Sequence, residues 1–269
     1  MATLIHYRRR PAIRKTAWTD PFPFWLYQPE RPGPLPLLCL TPLLGRFLFL
    51  EDLYFERRHA RFFAQHGFAA ALIDRPIFQF DPARGLEQIQ SYLEESVTRN
   101  KRVLDVLLQR KDLQANAVGS FGISFGGVTN SLWAGQDSRL KANVFGLAGG
   151  NITEIMLTSR DPLMRDYMKS MLRSTGLGKK DLGEALKKVI RLDPLNAASS
   201  IPRENVLMFL ALFDRVIQFR YGLALRRSLG NPKTLFVPLG HYTTLLAMPF
   251  LKRRALEFFN EKLLRVPAG

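Results

Sequence analysis

Short apolar runs alternate with longer amphipathic stretches along most of the chain. Apolar runs that end at Gly, Pro, Asn or Asp are typical of buried strands. Such runs predict strands at Phe22–Tyr27, Leu35–Leu40, Ala69–Asp74, the run that ends at Gly122, Ala142–Leu147, Val206–Leu212 and Lys233–Pro238. The segment Pro11–Asp20 is mixed and polar, and no strand is predicted there.

Apolar positions at helical spacing fill the stretches between these runs. They predict helices at Glu51–His66, which Gly67 ends, at Leu86–Gln109, around Arg220–Leu229 and at Leu251–Leu264. A repeated strand–helix–strand order favours a mainly parallel sheet, because the crossover helices must cover both of its faces. The predicted fold class is therefore α/β, with a mainly parallel central sheet and helices on both faces.

The alternation of strands and helices stops between Asn151 and Ser199, where helical patterns follow one another. We expect residues 151–199 to form a helical insertion, with residues 1–150 and 200–269 as the two parts of one core. Four of the seven methionines lie in this insertion, at Met156, Met164, Met168 and Met171. The last three share one helical face, which either packs on the core or, as part of a lid, covers an apolar substrate group. The lid interpretation makes Met156, Met164 and Met168 candidate substrate contacts.

One apolar run ends in Gly122-Ile123-Ser124-Phe125-Gly126, a G-x-S-x-G sequence between a predicted strand and a helix. A serine on such a tight turn has strained backbone angles, and glycines two positions away remove the Cβ atoms that would collide there. The turn exposes the serine hydroxyl. It also directs the Phe125 N–H toward negative charge that develops on a bound carbonyl oxygen.

A phosphate-binding loop also fits the bare glycine-rich pattern. A Walker-type loop, however, ends in Gly-Lys-Ser/Thr, and this chain continues as Gly126-Gly127-Val128-Thr129 without a lysine. A serine nucleophile needs instead an acid and then a histidine, each after a strand. Asp214 follows the penultimate predicted strand, and Gly240-His241-Tyr242 follows the last one.

With Asp193-Pro194-Leu195 before the penultimate strand, these motifs resemble the α/β-hydrolase superfamily, in particular its serine esterases and lipase-like members. The resemblance covers nearly everything from the first predicted strand to the C-terminus. It implies the α/β-hydrolase fold with a helical lid insertion. It also implies that Ser124 is the nucleophile, that His241 is its general base and later general acid, and that Asp214 orients and stabilises the imidazolium.

The remaining acids and histidines fit other roles. Family members often carry an aspartate at the position of Asp74 without a triad role, and Asp193 is expected to cap the turn before its proline. The other histidines lack a comparable context and are expected on the surface or in helices: His6, His59 and His66.

The resemblance further implies an oxyanion hole made by the Phe125 N–H and a second N–H from the loop Thr41–Gly45. The commonest family pattern has His-Gly after this strand, whereas this chain has Thr41-Pro42. Because proline lacks an N–H, the second donor is expected to be Leu43 or a neighbour. Leu44, in the same loop, is a candidate substrate contact.

Composition and charge limit the possible partners. The formal charge of +16 and the pI near 10.4 admit nucleic acid or an anionic membrane surface. The basic residues are scattered among acids, with Arg8-Arg9-Arg10 as the densest group, so no specific nucleic-acid site is expected and peripheral contact with an anionic surface stays open. The sequence does not predict an oligomeric state.

Cys39 is the single cysteine and lies in an apolar run. A single cysteine excludes an internal disulfide, which is compatible with the cytoplasmic location that we expect. No apolar region directly follows the basic start, so a secretory signal is not expected. The apolar stretch Leu35–Leu50 is broken by two prolines and an arginine and is too short to span a bilayer. No His, Cys and acidic cluster has the spacing of metal ligands, and neither a metal nor another cofactor is expected.

These observations predict a serine hydrolase that cleaves an ester or related acyl bond through an acyl-enzyme intermediate. Carboxylic esters are the first expectation for its small-molecule acyl substrate, and thioesterase, peptidase and acyltransferase activities use the same triad. The alternative is a non-catalytic protein of the same fold that binds a ligand or partner. Association with anionic surfaces is compatible with either function.

Overall fold

A single sheet of eight strands runs through the computed structural model, which describes residues 12–44, 54–77, 81 and 84–264. Its strands are β1 (Ile13–Trp18), β2 (Phe24–Pro29), β3 (Leu35–Thr41), β4 (Ala69–Ile73), β5 (Leu113–Ile123), β6 (Ala142–Gly146), β7 (Val206–Ala211) and β8 (Lys233–Val237). Their spatial order is β1-β2-β4-β3-β5-β6-β7-β8. The pairs β1–β2 and β2–β4 are antiparallel, and the strands from β4 to β8 are parallel. The predicted α/β class and mainly parallel sheet are confirmed.

Nine α-helices lie in the described part of the chain. They are α1 (Tyr54–Gln65), α2 (Glu87–Leu108), α3 (Phe125–Ala134), α4 (Ile152–Thr158), α5 (Pro162–Thr175), α6 (Lys179–Val189), α7 (Pro194–Ala197), α8 (Phe219–Ser228) and α9 (Met248–Phe259). Short 3₁₀ turns at Ala198–Ser200, Arg203–Asn205 and Thr243–Ala247 and a π-helical turn at Asn260–Leu264 complete the regular structure. None of the helices described here is both long and apolar enough to cross a membrane.

The core has two layers, one on each face of the sheet. Alternate residues of β3 separate between them, with Leu37 and Cys39 in one layer and Leu38 and Leu40 in the other. Helices α2, α3 and α8 and the insertion helices cover the first layer, and α1 and α9 cover the second. Because both faces are covered, β3, β4, β6 and β7 are buried along their whole length and apolar at most positions, which is why the sequence predicts them well.

The edge strand β1 is the element that the sequence analysis missed. It pairs antiparallel with β2 and is the edge strand of the sheet among the described residues, with Arg14, Lys15 and Ala17 exposed and Ile13, Thr16 and Trp18 half-buried. Edge strands tolerate charged residues, and Arg14 and Lys15 lie in the middle of this one. The composition of Pro11–Asp20 is therefore mixed because the edge strand within it is only partly buried.

Asp193 holds the two ends of residues 151–199 together. Its carboxylate accepts hydrogen bonds from the N–H groups of Asn151 (2.9 Å) and Ile152 (2.6 Å) at the start, and of Leu195 (2.9 Å) at the end. The capping role predicted for Asp193 is present, since it is the N-cap of α7. The contacts to Asn151 and Ile152 add a second role, because they fix where the insertion leaves the core.

Candidate active site

Ser124 lies between the end of β5 and the start of α3, in the turn that the G-x-S-x-G sequence predicts. Its backbone angles, φ 57° and ψ −125°, are unfavourable for a residue with a Cβ atom. The Ser124 N–H donates to the Gly146 carbonyl at 2.7 Å, which fixes the turn against β6. A strained residue held by its neighbours in this way presents its side chain beyond the sheet edge.

The glycines around Ser124 are required by close backbone approach. A Cβ atom at Gly122 would collide with the Gly126 carbonyl and with Thr41 Oγ1. These two groups already form a hydrogen bond of 2.7 Å, so neither can move aside. A Cβ atom at Gly126 would in turn collide with the Thr41 carbonyl. The glycines therefore let the end of β3 pack directly against the serine turn.

Three side chains that are distant in sequence form one hydrogen-bonded chain at this sheet edge. Ser124 Oγ lies 2.8 Å from His241 Nε2, and His241 Nδ1 lies 2.7 Å from Asp214 Oδ2. The side chains of His241 and Asp214 are only 9% and 2% exposed. An imidazole whose Nδ1–H donates to a buried carboxylate has Nε2 available to accept the serine proton.

The second oxygen of Asp214 is held by the backbone. Its Oδ1 accepts hydrogen bonds from the N–H groups of Val216 (2.8 Å) and Ile217 (3.0 Å) in the loop after β7. These contacts satisfy the buried carboxylate and leave Oδ2 to face His241. Asp74, in contrast, accepts a hydrogen bond from the adjacent Arg75 N–H and does not line the cavity at Ser124.

Two predicted oxyanion-hole residues line the same cavity as Ser124. Phe125 is the first residue of α3, where the N–H groups of a helix have no intrahelical acceptor. Leu43 also lies at the cavity, but its N–H donates to Glu56 Oε1 at 2.8 Å. Glu56 is a buried carboxylate on α1 that the sequence analysis did not single out. Gly45, at the end of this loop, lies outside the described residues.

The cavity beside Ser124 has a volume of about 620 Å³, within the range of ligand sites in proteins. Apolar side chains from the core, from α2 and from the insertion form most of its wall: Ile89, Leu93, Phe121, Val128, Ile152, Ile155, Leu163, Val216, Ile217, Leu245 and Met248. Polar side chains also line the cavity, among them Ser124, His241, Glu56 and His59. The cavity thus places the Ser124 and His241 side chains against a mainly apolar wall.

The insertion contributes to this wall with only some of its methionines. Met156 and Met164 line the cavity, as does Leu44 of the β3 loop. Met168 and Met171 lie one and two turns further along α5 and pack in the core instead. The packing interpretation therefore holds for Met168 and Met171, whereas the lid interpretation stays a prediction for Met164, since the cavity reaches only the first turn of α5.

His59 lies at the candidate active site, which the sequence analysis did not predict. It lies in helix α1, but it is buried, lines the cavity and packs against Phe121 with ring centroids 5.3 Å apart. Burial, together with the positive charges of Lys252 and Arg58, lowers its pKa to about 4. His59 is therefore neutral at pH 7.

The helical spacing of His59 and Phe63 is the sequence signal for this burial, since both positions lie on the buried face of α1. His66 is exposed, and His6 lies outside the described residues.

A contact between the insertion and the histidine loop closes one side of the cavity. The Tyr242 hydroxyl donates to Asp161 Oδ2 at 2.5 Å, and Asp161 is the N-cap of α5. Burial and the nearby Asp161 charge raise the pKa of Tyr242, so its hydroxyl stays protonated and can donate. Nearby, the Arg160 N–H donates to the Arg215 carbonyl at 2.9 Å. The insertion is thus attached beside both His241 and Asp214.

A search for a metal site finds no group of three or more His, Cys, Asp or Glu side chains suited to a metal ion among residues 12–44, 54–77, 81 and 84–264. Cys39 is buried in β3, where burial raises the pKa of its thiol.

Solved structures with the same fold include several hydrolases. An acetyl xylan esterase from a Paenibacillus species aligns at 18% identity and TM-score 0.68, over 95% of this chain and 90% of that one. A cold-adapted esterase from an Arctic intertidal metagenomic library aligns at 17% identity and TM-score 0.59, over 93% of each chain. The Pyrococcus horikoshii acylaminoacyl peptidase aligns at 15% identity and TM-score 0.69, over 97% of this chain but 43% of that one.

No protein-family model and no curated relative matches the sequence. The structural likeness shows that this protein has the α/β-hydrolase fold, as the motifs predicted.

Proposed function

We propose that this protein is a serine hydrolase that cleaves an ester or related acyl bond through an acyl-enzyme intermediate. The observation that carries the proposal is the chain of hydrogen bonds from Ser124 Oγ to His241 Nε2 (2.8 Å) and from His241 Nδ1 to Asp214 Oδ2 (2.7 Å). The fold shared with esterases and a peptidase supports a hydrolase, and the residue roles below are part of the proposal.

The proposed reaction begins when Ser124 Oγ attacks the acyl carbon while His241 Nε2 takes the hydroxyl proton. Asp214 holds the imidazole in the tautomer that can accept this proton and stabilises the imidazolium. Collapse of the tetrahedral intermediate breaks the bond to the leaving group, which receives the proton from His241 and departs as an alcohol. Water, deprotonated by His241, then attacks the acyl-enzyme, and Ser124 regains its proton as the acid is released.

The oxyanion of each tetrahedral intermediate needs hydrogen-bond donors. We assign the Phe125 N–H as one donor. It is next to the proposed nucleophile, and the first N–H groups of a helix have no intrahelical acceptor. We assign the Leu43 N–H as the other, which requires that its hydrogen bond to Glu56 Oε1 be exchanged for one to the oxyanion. The helical insertion would act as the lid over the substrate.

The apolar cavity wall supports the proposal of a substrate whose acyl group is apolar. Its apolar side chains come from the core and the insertion and extend away from Ser124, with Met156 and Met164 as adaptable contacts. A carboxylic ester with a sizeable aliphatic or aromatic acyl group fits this surface. Thioesters, amides and transfer to another acceptor use the same residues, so ester cleavage is the proposal's first choice among them.

A fluorophosphonate probe tests this proposal directly, because it reacts with an activated serine without needing the natural substrate. Wild-type protein should gain a single adduct in its intact mass, and Ser124→Ala should gain none. The matched control is Ser159→Ala, which removes a second serine hydroxyl from the same cavity and should keep the adduct. A panel of esters with graded acyl length should then be hydrolysed by wild type and lose at least about a thousandfold in rate with Ser124→Ala.

One contact favours the alternative, a non-catalytic protein that binds an apolar ligand in this cavity. The Leu43 N–H is already bound to the buried Glu56 carboxylate, which leaves one of the two assigned oxyanion donors occupied. Saturable binding of a fatty acid by folded protein, with no fluorophosphonate adduct and no ester hydrolysis, would favour this alternative over catalysis.

A further inference from the structure

A second cavity, of about 480 Å³, lies between helices α1 and α9 on the outer side of the second core layer. Its lining defines a basic groove: Tyr54, Arg58, Arg61, Phe62, Gln65, Pro249, Lys252 and Arg253. Both helices begin at the sheet edge where the candidate active site lies, because α1 follows β3 and α9 follows the histidine loop. The groove therefore starts close to the Ser124 cavity and extends away from it.

Four of the eight lining residues are cations, and none of the described lining residues is acidic. Arg58, Arg61 and Arg253 are exposed. Lys252 is half-buried, with its ammonium 4.7 Å from the centre of the Phe62 ring. Cations gathered in one groove repel one another unless an anion lies between them, and two of them, Lys252 and Arg58, also lower the pKa of the buried His59 on the inner face of α1.

The donors of the groove have the geometry that phosphate prefers. Guanidinium groups present paired N–H donors that match two oxygens of a phosphate, and lysine adds a point charge. Arg58 is already oriented, since its Nη1 donates to the Tyr54 hydroxyl at 2.8 Å and its guanidinium lies 5.5 Å from the Tyr54 ring. Ordering an arginine before its ligand binds reduces the entropy cost of binding.

We propose that the basic groove between α1 and α9 binds a phosphate group, with Arg58, Arg61 and Arg253 as its principal ligands. The group belongs either to a lipid headgroup or to a free phosphorylated molecule, since the same donors recognise both. A phosphate-bearing acyl ester would place its acyl chain in the Ser124 cavity, which Phe55, Glu56 and His59 line from the opposite face of α1. That last step rests on the function proposed above, whereas the binding of phosphate does not.

The experiment measures binding in protein whose catalytic serine is removed, so that its result is independent of hydrolysis. Isothermal titration of Ser124→Ala with inorganic pyrophosphate should give saturable binding at about 50 mM salt, where surface charges are weakly screened. The triple variant Arg58→Gln, Arg61→Gln and Arg253→Gln should bind at least about tenfold more weakly. Sedimentation with phosphatidylcholine vesicles, with and without phosphatidic acid, forms the second arm.

The matched control removes the same charge from exposed positions of the insertion, with Arg165→Gln, Arg173→Gln and Lys180→Gln. It should retain wild-type affinity in both arms. Binding to pyrophosphate alone identifies a free phosphorylated ligand, and binding to phosphatidic acid vesicles alone identifies a lipid headgroup. Equal weakening by the two triple variants, or no saturable binding in either arm, would overturn the proposal. Should the first triple variant fail to fold, the exposed single change Arg253→Gln carries the same test, with an expected loss of about threefold or more.

Discussion

The serine turn and the helical insertion differ in how tightly the chain fixes each position. At the turn, Gly122 and Gly126 approach Thr41 so closely that a single Cβ atom at either glycine would collide with backbone. In the insertion, an added Cβ at Gly176 meets nothing within 4 Å, and one at Gly178 meets only Asp181 Oδ2 at 3.5 Å. The turn that positions the proposed nucleophile has no room for an added methyl group, whereas Gly178 in the insertion has room for one.

This difference has a physical cause. The turn joins three neighbouring strands of a parallel sheet, so every residue in it is constrained by backbone on at least two sides. The insertion is held by side-chain hydrogen bonds from Asp193, Tyr242 and Gln218, by one backbone bond from Arg160, and by buried side chains that pack in the core. Side-chain hydrogen bonds can be exchanged at a smaller cost in free energy than closely packed backbone can be displaced. The turn at Ser124 is therefore the more tightly constrained of the two regions.

The largest effect is expected from Asp214→Asn, within the rigid region. Because Val216 and Ile217 donate to Oδ1, the new amide should keep its oxygen there and turn its NH₂ toward His241 Nδ1. The imidazole would then carry its proton on Nε2 and could not accept one from Ser124. We expect ester hydrolysis to fall by about 10³- to 10⁴-fold with an unchanged melting temperature. A rate within tenfold of wild type would contradict the role assigned to Asp214.

The second effect concerns pH and the inner face of α1. The folded-state pKa of His59, about 4, lies below its ordinary value of 6.5, so in acid the unfolded chain binds the proton more readily than the folded one. This contribution to stability is fully present above about pH 6.5 and is lost as the pH falls toward 4. The loss should approach about 3 kcal/mol. Urea unfolding at pH 7 and pH 5 should show about 2 kcal/mol of this loss in wild type and much less of it in His59→Gln.

The third effect compares two glycines directly. Gly122→Ala should lower the free energy of unfolding by about 1–3 kcal/mol, because the new methyl group has no room beside Thr41 Oγ1 and the Gly126 carbonyl. Gly178→Ala, in the insertion, should change it by less than about 1 kcal/mol. Chemical denaturation of both variants measures the contrast. Equal destabilisation would show that the insertion is as tightly packed as the turn.

The smallest effect is expected at the contact between the two regions. Tyr242→Phe removes the hydrogen bond to Asp161 while keeping the ring, which is worth about 1 kcal/mol, or roughly fivefold in an opening equilibrium. If the insertion is a lid, a bulky fluorophosphonate should label Ser124 up to about fivefold faster in this variant. Tyr54→Phe, whose hydroxyl contacts Arg58 in the basic groove, should label at the wild-type rate. An unchanged labelling rate in Tyr242→Phe would mean that this bond does not limit access.

The sequence by itself determined the parallel part of the sheet and the position of the turn at Ser124. Strands β3, β4 and β7 are buried on both faces, so their apolar runs predicted Leu35–Thr41, Ala69–Ile73 and Val206–Ala211 to within about one residue. The glycine spacing around Ser124 predicted its turn once the missing lysine had excluded a Walker-type loop. The order Ser124, Asp214, His241 followed from the positions of the strand ends, where a parallel sheet brings its loops together.

Only the tertiary structure decided which residues share a surface. Glu56 and His59 are helical residues whose periodicity shows burial, but not that the buried face borders the Ser124 cavity. The same limit applies to Met164 and Met168, which share a helical face although only Met164 reaches the cavity. The basic groove likewise joins residues about 190 positions apart on α1 and α9. Periodicity records which side of an element is covered, whereas the identity of what covers it depends on how the elements pack.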